Sequence, residues 1–81
     1  MKPAAVKDLK RIAHSTVQRV GRKISSLAAE PRPPGAVNLK LAQHVWRLRV
    51  GDYRVLYTID DDLLLVTVAR VRHRRDIYRQ L

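Results

Sequence analysis

The chain has no cysteine and no phenylalanine, a single tryptophan, three tyrosines, and only seven acidic residues among its 81. Without cysteine it can form neither a disulfide staple nor a thiolate metal site, which fits a reducing cytoplasm. No apolar run approaches the length of a membrane-spanning helix. The opening residues, Met1 to Asp8, also lack the apolar stretch of a secretory leader, so a soluble cytoplasmic protein is expected. No spacing of His, Asp and Glu suggests a metal site, and no cofactor is expected. Eighty-one residues allow one domain, residues 1–81, with a compact core and a thin stability margin.

The shortage of acid stands against seventeen Lys and Arg, giving a net charge of +10 over 9.3 kDa and a pI near 11.2. Soluble surfaces usually mix the two signs. Such an excess points to a polyanionic partner: nucleic acid, an acidic protein or an anionic surface.

Residues 45–57, Val-Trp-Arg-Leu-Arg-Val-Gly-Asp-Tyr-Arg-Val-Leu-Tyr, alternate apolar and polar, break at Gly51-Asp52, and alternate again. This is the pattern of a tight β-hairpin. A two-residue loop pairs Val50 with Tyr53, Arg49 with Arg54, Leu48 with Val55, and Arg47 with Leu56. Trp46, Leu48, Val50, Tyr53, Val55 and Tyr57 then share one apolar face, and Arg47, Arg49 and Arg54 share the other. Like charges directly opposite one another destabilise a sheet. Packing gives little reason for Arg49 to face Arg54, whereas anion binding gives a good one: three guanidinium forks can hold phosphate bidentately and stabilise charge developing on phosphorus.

Around the hairpin, Pro3 suits a first helical turn, and Val6, Leu9, Ile12 and Ala13 give a helix of about three turns. Ser15 with Gln18 reads as a capping box opening a second helix, with Val17, Val20, Ile24, Leu27 and Ala28 as its apolar stripe and Arg19, Arg22 and Lys23 facing solvent. Pro31 to Gly35 forms a stiff connector, and Asn38 to Leu41 a short edge strand. After an acidic turn at Asp60–Asp62, the nearly continuous apolar run Leu63–Val71 reads as a strand buried on both faces, hence central. Its register stays open, because two-residue and three-residue turns put opposite faces inward. The expected fold is α+β: a helical hairpin on one face of an antiparallel sheet of three to four strands, with a short C-terminal helix or tail.

That tail carries Arg72, His73, Arg74, Arg75 and Tyr78. Histidine moves protons near neutrality, arginine holds phosphate, and tyrosine stacks on a base or donates its hydroxyl. The hairpin motif, the acidic turn, the apolar strand and Val71-Arg72-His73-Arg74-Arg75-Asp76-Ile77-Tyr78 together resemble the RelE branch of the RelE/ParE toxin superfamily. The helical hairpin and the Pro31–Gly35 connector match that pattern too.

The resemblance implies a ribosome-dependent endoribonuclease that cleaves mRNA without metal or other cofactor and inhibits translation. It also implies silencing by a cognate RelB-like antitoxin in a toxin–antitoxin complex, with an acidic or extended inhibitory segment. Arg47 and Arg49 fall where the family carries strand-borne basic residues, Arg54 at the arginine after the hairpin tyrosine, Arg74 at the arginine after the last strand, and Tyr78 at the C-terminal tyrosine. Two departures are visible. Relatives usually place a strand before the first helix, which here leaves a sheet edge missing or supplied by a partner, and they often have lysine in place of Arg47 and Arg49. Arginine is effectively never deprotonated, so these residues do not act as a general base. The expectation is that Arg47, Arg49 and Arg54, with Arg72 and Arg75, bind phosphate. Arg74 then stabilises the transition state or leaving group, and Tyr78 or His73 moves protons as 2′-hydroxyl attack yields a 2′,3′-cyclic phosphate. Two alternatives stand: a ParE-like gyrase inhibitor without nuclease activity, and an inactive basic nucleic-acid-binding relative.

Overall fold

In a computed structural model, which describes residues 1–39 and 44–75, two helices cover one face of a four-stranded antiparallel sheet. The elements are α1 (Pro3–Lys10), α2 (His14–Ser26), β1 (Val37–Asn38), β2 (Val45–Val50), β3 (Tyr53–Asp60) and β4 (Leu65–His73), and the sheet order is β1-β2-β3-β4. The core lies between the layers, where Ala5, Val20 and Leu27 of the helical layer meet Leu48, Val50, Val55, Tyr57, Val68 and Val71 of the sheet. The four Cα pairs expected across the hairpin are all present, together with Trp46 opposite Tyr57 and Val45 opposite Thr58. Gly51 has φ +60, and Asp52 is not among the positive-φ residues, as a turn with glycine in its first central position requires.

The helices differ from expectation in detail. α1 has eight residues, and Ala5 and Asp8 turn inward while Val6 is exposed. α2 begins at His14 after Ala13, one residue before the expected Ser15 cap, and no side chain caps it. Ser15 therefore lies inside the first turn, and Gln18 Nε2 instead approaches His14 Nε2 at 3.3 Å. Val20 and Leu27 of the expected stripe are buried, but Ala28 is exposed. The edge strand is Val37–Asn38; the remainder of the expected segment, from residue 40 on, lies outside the described residues.

The largest correction concerns the apolar run. Leu63 and Leu64, 70 % and 92 % exposed, belong to a four-residue turn over residues 61–64, and β4 is an edge strand rather than a central one. Its outer edge is covered by the N-terminal segment. The Lys2 N–H donates to the Val68 carbonyl at 2.9 Å, and the Val71 N–H donates to the Asp8 carboxylate at 2.9 Å. Backbone groups that a neighbouring strand would satisfy are thus met by a helix entry and a helix side chain. β4 also slips by one residue: Tyr57 pairs with Val68 and Leu56 with Arg70, leaving Ala69 unopposed as a bulge. Val66 and Val68 face the helices before the slip, and Val71 and His73 after it.

The connector after α2 is tied to the sheet at two points. The fully buried Tyr57 donates its hydroxyl to the Pro31 carbonyl at 2.7 Å. Arg32 makes a bidentate pair with Asp61 and lies 5.4 Å from the Trp46 ring centroid. Burial raises the Tyr57 pKa, against a smaller opposing effect of the Arg32 charge. Tyr57→Phe leaves the Pro31 carbonyl without this donor and is expected to cost about 1 kcal/mol, read as a shift in the urea midpoint with an unchanged slope.

Candidate functional site

The bulge at Ala69 determines what the other sheet face carries, which no described helix covers. Without it, Arg70 and Arg72 would share the phase of Val66 and Val68 and point toward the helices. With it, Arg72 pairs with Arg54, which pairs with Arg49, and Arg70 pairs with Leu56, which pairs with Arg47. Two adjacent rows result, Arg49–Arg54–Arg72 and Arg47–Leu56–Arg70, so five of six positions on three strands are arginine. Strand spacing puts the two ends of a row roughly 10 Å apart.

Backbone carbonyls of the hairpin turn make this crowding tolerable. Arg49 Nε and Arg54 Nη1 both donate to the Gly51 carbonyl at 3.3 Å, and Arg54 Nη1 also donates to the Tyr53 carbonyl at 3.2 Å. The Arg19 guanidinium reaches the same turn from α2: a Cβ placed on Gly51 would lie 3.5 Å from both of its terminal nitrogens. Arg19 is exposed, as expected, but its helical spacing alone gave no sign of the turn beneath it. The Arg74 N–H donates to the Asp52 carbonyl at 2.8 Å, which brings the start of the tail to this end of the sheet. Residues 74–75 are exposed and begin a helical turn, while Tyr78 lies outside the described residues.

Of the cations on the uncovered face, Arg70 is bound by acid. Asp8 accepts from Arg70 Nε at 2.8 Å and from Arg70 Nη2 at 3.0 Å. Burial alone would raise the Asp8 pKa. The Arg70 and Val71 hydrogen bonds, with the charges of Arg70 and Arg72, outweigh it and hold the carboxyl below its ordinary value. Three further acids, Asp60, Asp61 and Asp62, lie at the opposite end of β3, against Asp52 alone in the hairpin turn, so negative charge is weighted away from the arginine end. Such a field orients an approaching polyanion toward the arginine end.

His73 stands apart from the rows. It pairs with Tyr53 on the helix-covered side, their rings edge-to-face with centroids 5.4 Å apart, and its Nδ1 accepts from the Arg75 N–H at 3.3 Å. The structure thus brings Arg47, Arg49, Arg54 and Arg72 onto one face, puts Arg74 and Arg75 at its end, and sets His73 behind it. Among the described residues no three His, Asp or Glu side chains gather as a metal site requires. No helix there is long and apolar enough to cross a membrane.

The family model for the ParE toxin of type II toxin–antitoxin systems matches residues 1–78. Toxin RelG of Mycobacterium tuberculosis is 41 % identical over 54 residues, which make up 67 % of this chain and 62 % of RelG. The toxin–antitoxin complex RelBE2 of the same organism contains a chain 32 % identical, with a TM-score of 0.77 over 90 % of this chain and 91 % of that one. A chain of the RelB–RelE antitoxin–toxin complex from Methanococcus jannaschii, 24 % identical, shares the fold with a TM-score of 0.78 over 99 % and 95 % of the two chains. The sequence, the two-layer fold and the match over nearly its whole length agree: this chain belongs to the ParE toxin family of type II toxin–antitoxin systems, within the RelE/ParE superfamily.

Proposed function

We propose that this toxin is a ribosome-dependent endoribonuclease that needs no metal of its own and stops translation by cutting mRNA in the cytoplasm. The observation that carries this reading is the row Arg49–Arg54–Arg72, three cations in cross-strand register on the sheet face opposite the helices. Repulsion within that row is a standing cost, and a phosphorane in the row offsets it. In the reaction the ribose 2′-oxygen bonds to phosphorus as its proton is removed. The bond from phosphorus to the 5′-oxygen breaks, and that oxygen takes up a proton, leaving a 2′,3′-cyclic phosphate and a 5′-hydroxyl. Arg49, Arg54 and Arg72 hold the phosphate and stabilise its added charge, with Arg47 beside them and Arg75 at the rim. Arg72, in register with Arg54, takes the transition-state role expected of Arg74, and Arg74 flanks it. Arginine cannot remove the proton. With the His73 ring packed on Tyr53, that step is assigned to Tyr78.

The match to a model named for ParE favours a second reading, gyrase inhibition without RNA cleavage. Mapping mRNA ends in a purified translation system distinguishes the two. Codon-linked ends bearing cyclic phosphate support the nuclease; gyrase-dependent DNA breaks with intact mRNA refute it.

As a toxin the chain is paired with a RelB-like antitoxin, by analogy with the complexes of its relatives. An acidic segment laid across the arginine rows is the complementary inhibitor. Strand addition at the β4 edge would have to displace Lys2 and the Asp8 contact.

A further inference from the structure

We propose that the cleft between the end of α1 and the end of β4 is a nucleobase subsite, receiving the base of a nucleotide whose phosphate lies on the arginine row. This rests on the RNA reading above and adds a second site to it. The cleft, about 160 Å³, lies behind the rows. It is too small for a drug-sized ligand and of the scale of a single ring system. It is lined by Tyr53 and His73, whose rings meet edge-to-face, and by Ile12 and Val71. Aromatic rings beside aliphatic side chains are what an unstacked base seeks in a protein.

Two further features select a base rather than a second phosphate. Arg11 and Arg72 line the cleft as cations, but Asp8 lines it as well, and its carboxylate is an acceptor that an ionised phosphate has no donor to use. Asp8 already accepts three hydrogen bonds, two from Arg70 and one from Val71, out of about four that a carboxylate can take. The remaining position suits an exocyclic amine, the group through which carboxylates read cytosine. His73 Nδ1 accepts from Arg75, so Nε2 carries the proton of the neutral ring and can donate to a ring acceptor.

Arg72 joins the two sites. It stands in the row opposite Arg54 and also lines the cleft, while its neighbour His73 faces the helix side. A strand passing over the edge of β4 therefore meets cations for its phosphate on one side and rings for its base on the other.

Titration of the full-length labelled chain with CMP, UMP, ribose 5-phosphate and inorganic phosphate, followed by NMR, tests this. CMP is expected to shift the Tyr53 and His73 ring resonances together with the Arg54 and Arg72 side chains, whereas the two base-free phosphates shift the arginines alone. CMP should bind about tenfold tighter than ribose 5-phosphate through stacking, and about threefold tighter than UMP through the amine. Tyr53→Leu should erase the difference between CMP and ribose 5-phosphate. Arg11→Gln, at an exposed position, should weaken CMP binding without unfolding the chain or changing its affinity for inorganic phosphate. Equal affinities for CMP and ribose 5-phosphate, with silent Tyr53 and His73 rings, would overturn the subsite while arginine shifts kept the row reading intact. Loss of the arginine shifts themselves would instead count against the row.

Discussion

Arg54→Ala is expected to lower mRNA cleavage on translating ribosomes by about a hundredfold or more while leaving the chain folded. Arg54 is the middle member of its row, opposite Arg49 on one side and Arg72 on the other, so a phosphate anywhere along the row lies near it. Its removal leaves two cations roughly 10 Å apart, too far to grip one phosphate together. The structural cost is small because two effects oppose. The variant loses hydrogen bonds to the Gly51 and Tyr53 carbonyls, and it is relieved of like charge on both flanks. A net stability change within about 1 kcal/mol is expected. Arg54→Lys keeps the charge but not the fork, and should recover only a minor part of the activity. Mapped mRNA ends and thermal melts on the same preparations check both halves. Full cleavage by a folded Arg54→Ala protein would remove the row from the mechanism.

Two of the row's three members were legible in the sequence, and the third was not. The pairing of Arg49 with Arg54 follows from a two-residue loop between alternating segments, because loop length fixes parity and parity fixes faces. Arg72 could not be placed in the same way. Leu63–Val71 has no clear alternation, so nothing local marks Ala69 as the bulge; the slip exists only in the pairing with β3. The same slip decides that His73 lies behind the rows. The edge position of β4 was hidden for a related reason. An apolar run signals burial, but here the cover comes partly from Lys2 and Asp8, more than sixty residues away in sequence. Arg19 is exposed as helical periodicity indicated, but its approach to Gly51 depends on how α2 crosses the hairpin. Local patterns gave the hairpin, the helical layer and the cations. Long-range pairing decided which cations meet.

Asp8→Ala should be the most destabilising single change among the charged residues described, by about 2–3 kcal/mol. The carboxylate is buried, and it ties α1 to β4 through the Arg70 guanidinium and the Val71 N–H. Alanine strands both partners. The full penalty of a broken buried pair does not apply, since the Arg70 side chain is 34 % exposed and water can reach it. Even the reduced figure is a large share of the roughly 4–12 kcal/mol that a domain of this size commands. The melting temperature should fall by about 10–20 °C at neutral pH. Asp8→Asn retains an acceptor for Val71 but not the charge, and should lie between the two. The pH dependence identifies the carboxylate. Its folded pKa is depressed, so its contribution is complete above the ordinary value of 3.8 and disappears as pH falls through the lower folded value. The exposed Asp61, held low by its hydrogen bond to Arg32, titrates in the same direction in both proteins, so a difference between wild type and Asp8→Ala cancels it. That difference should be level from neutrality to about pH 5 and shrink below pH 4. A constant difference down to pH 2 would mean that packing, not charge, is what Asp8 contributes.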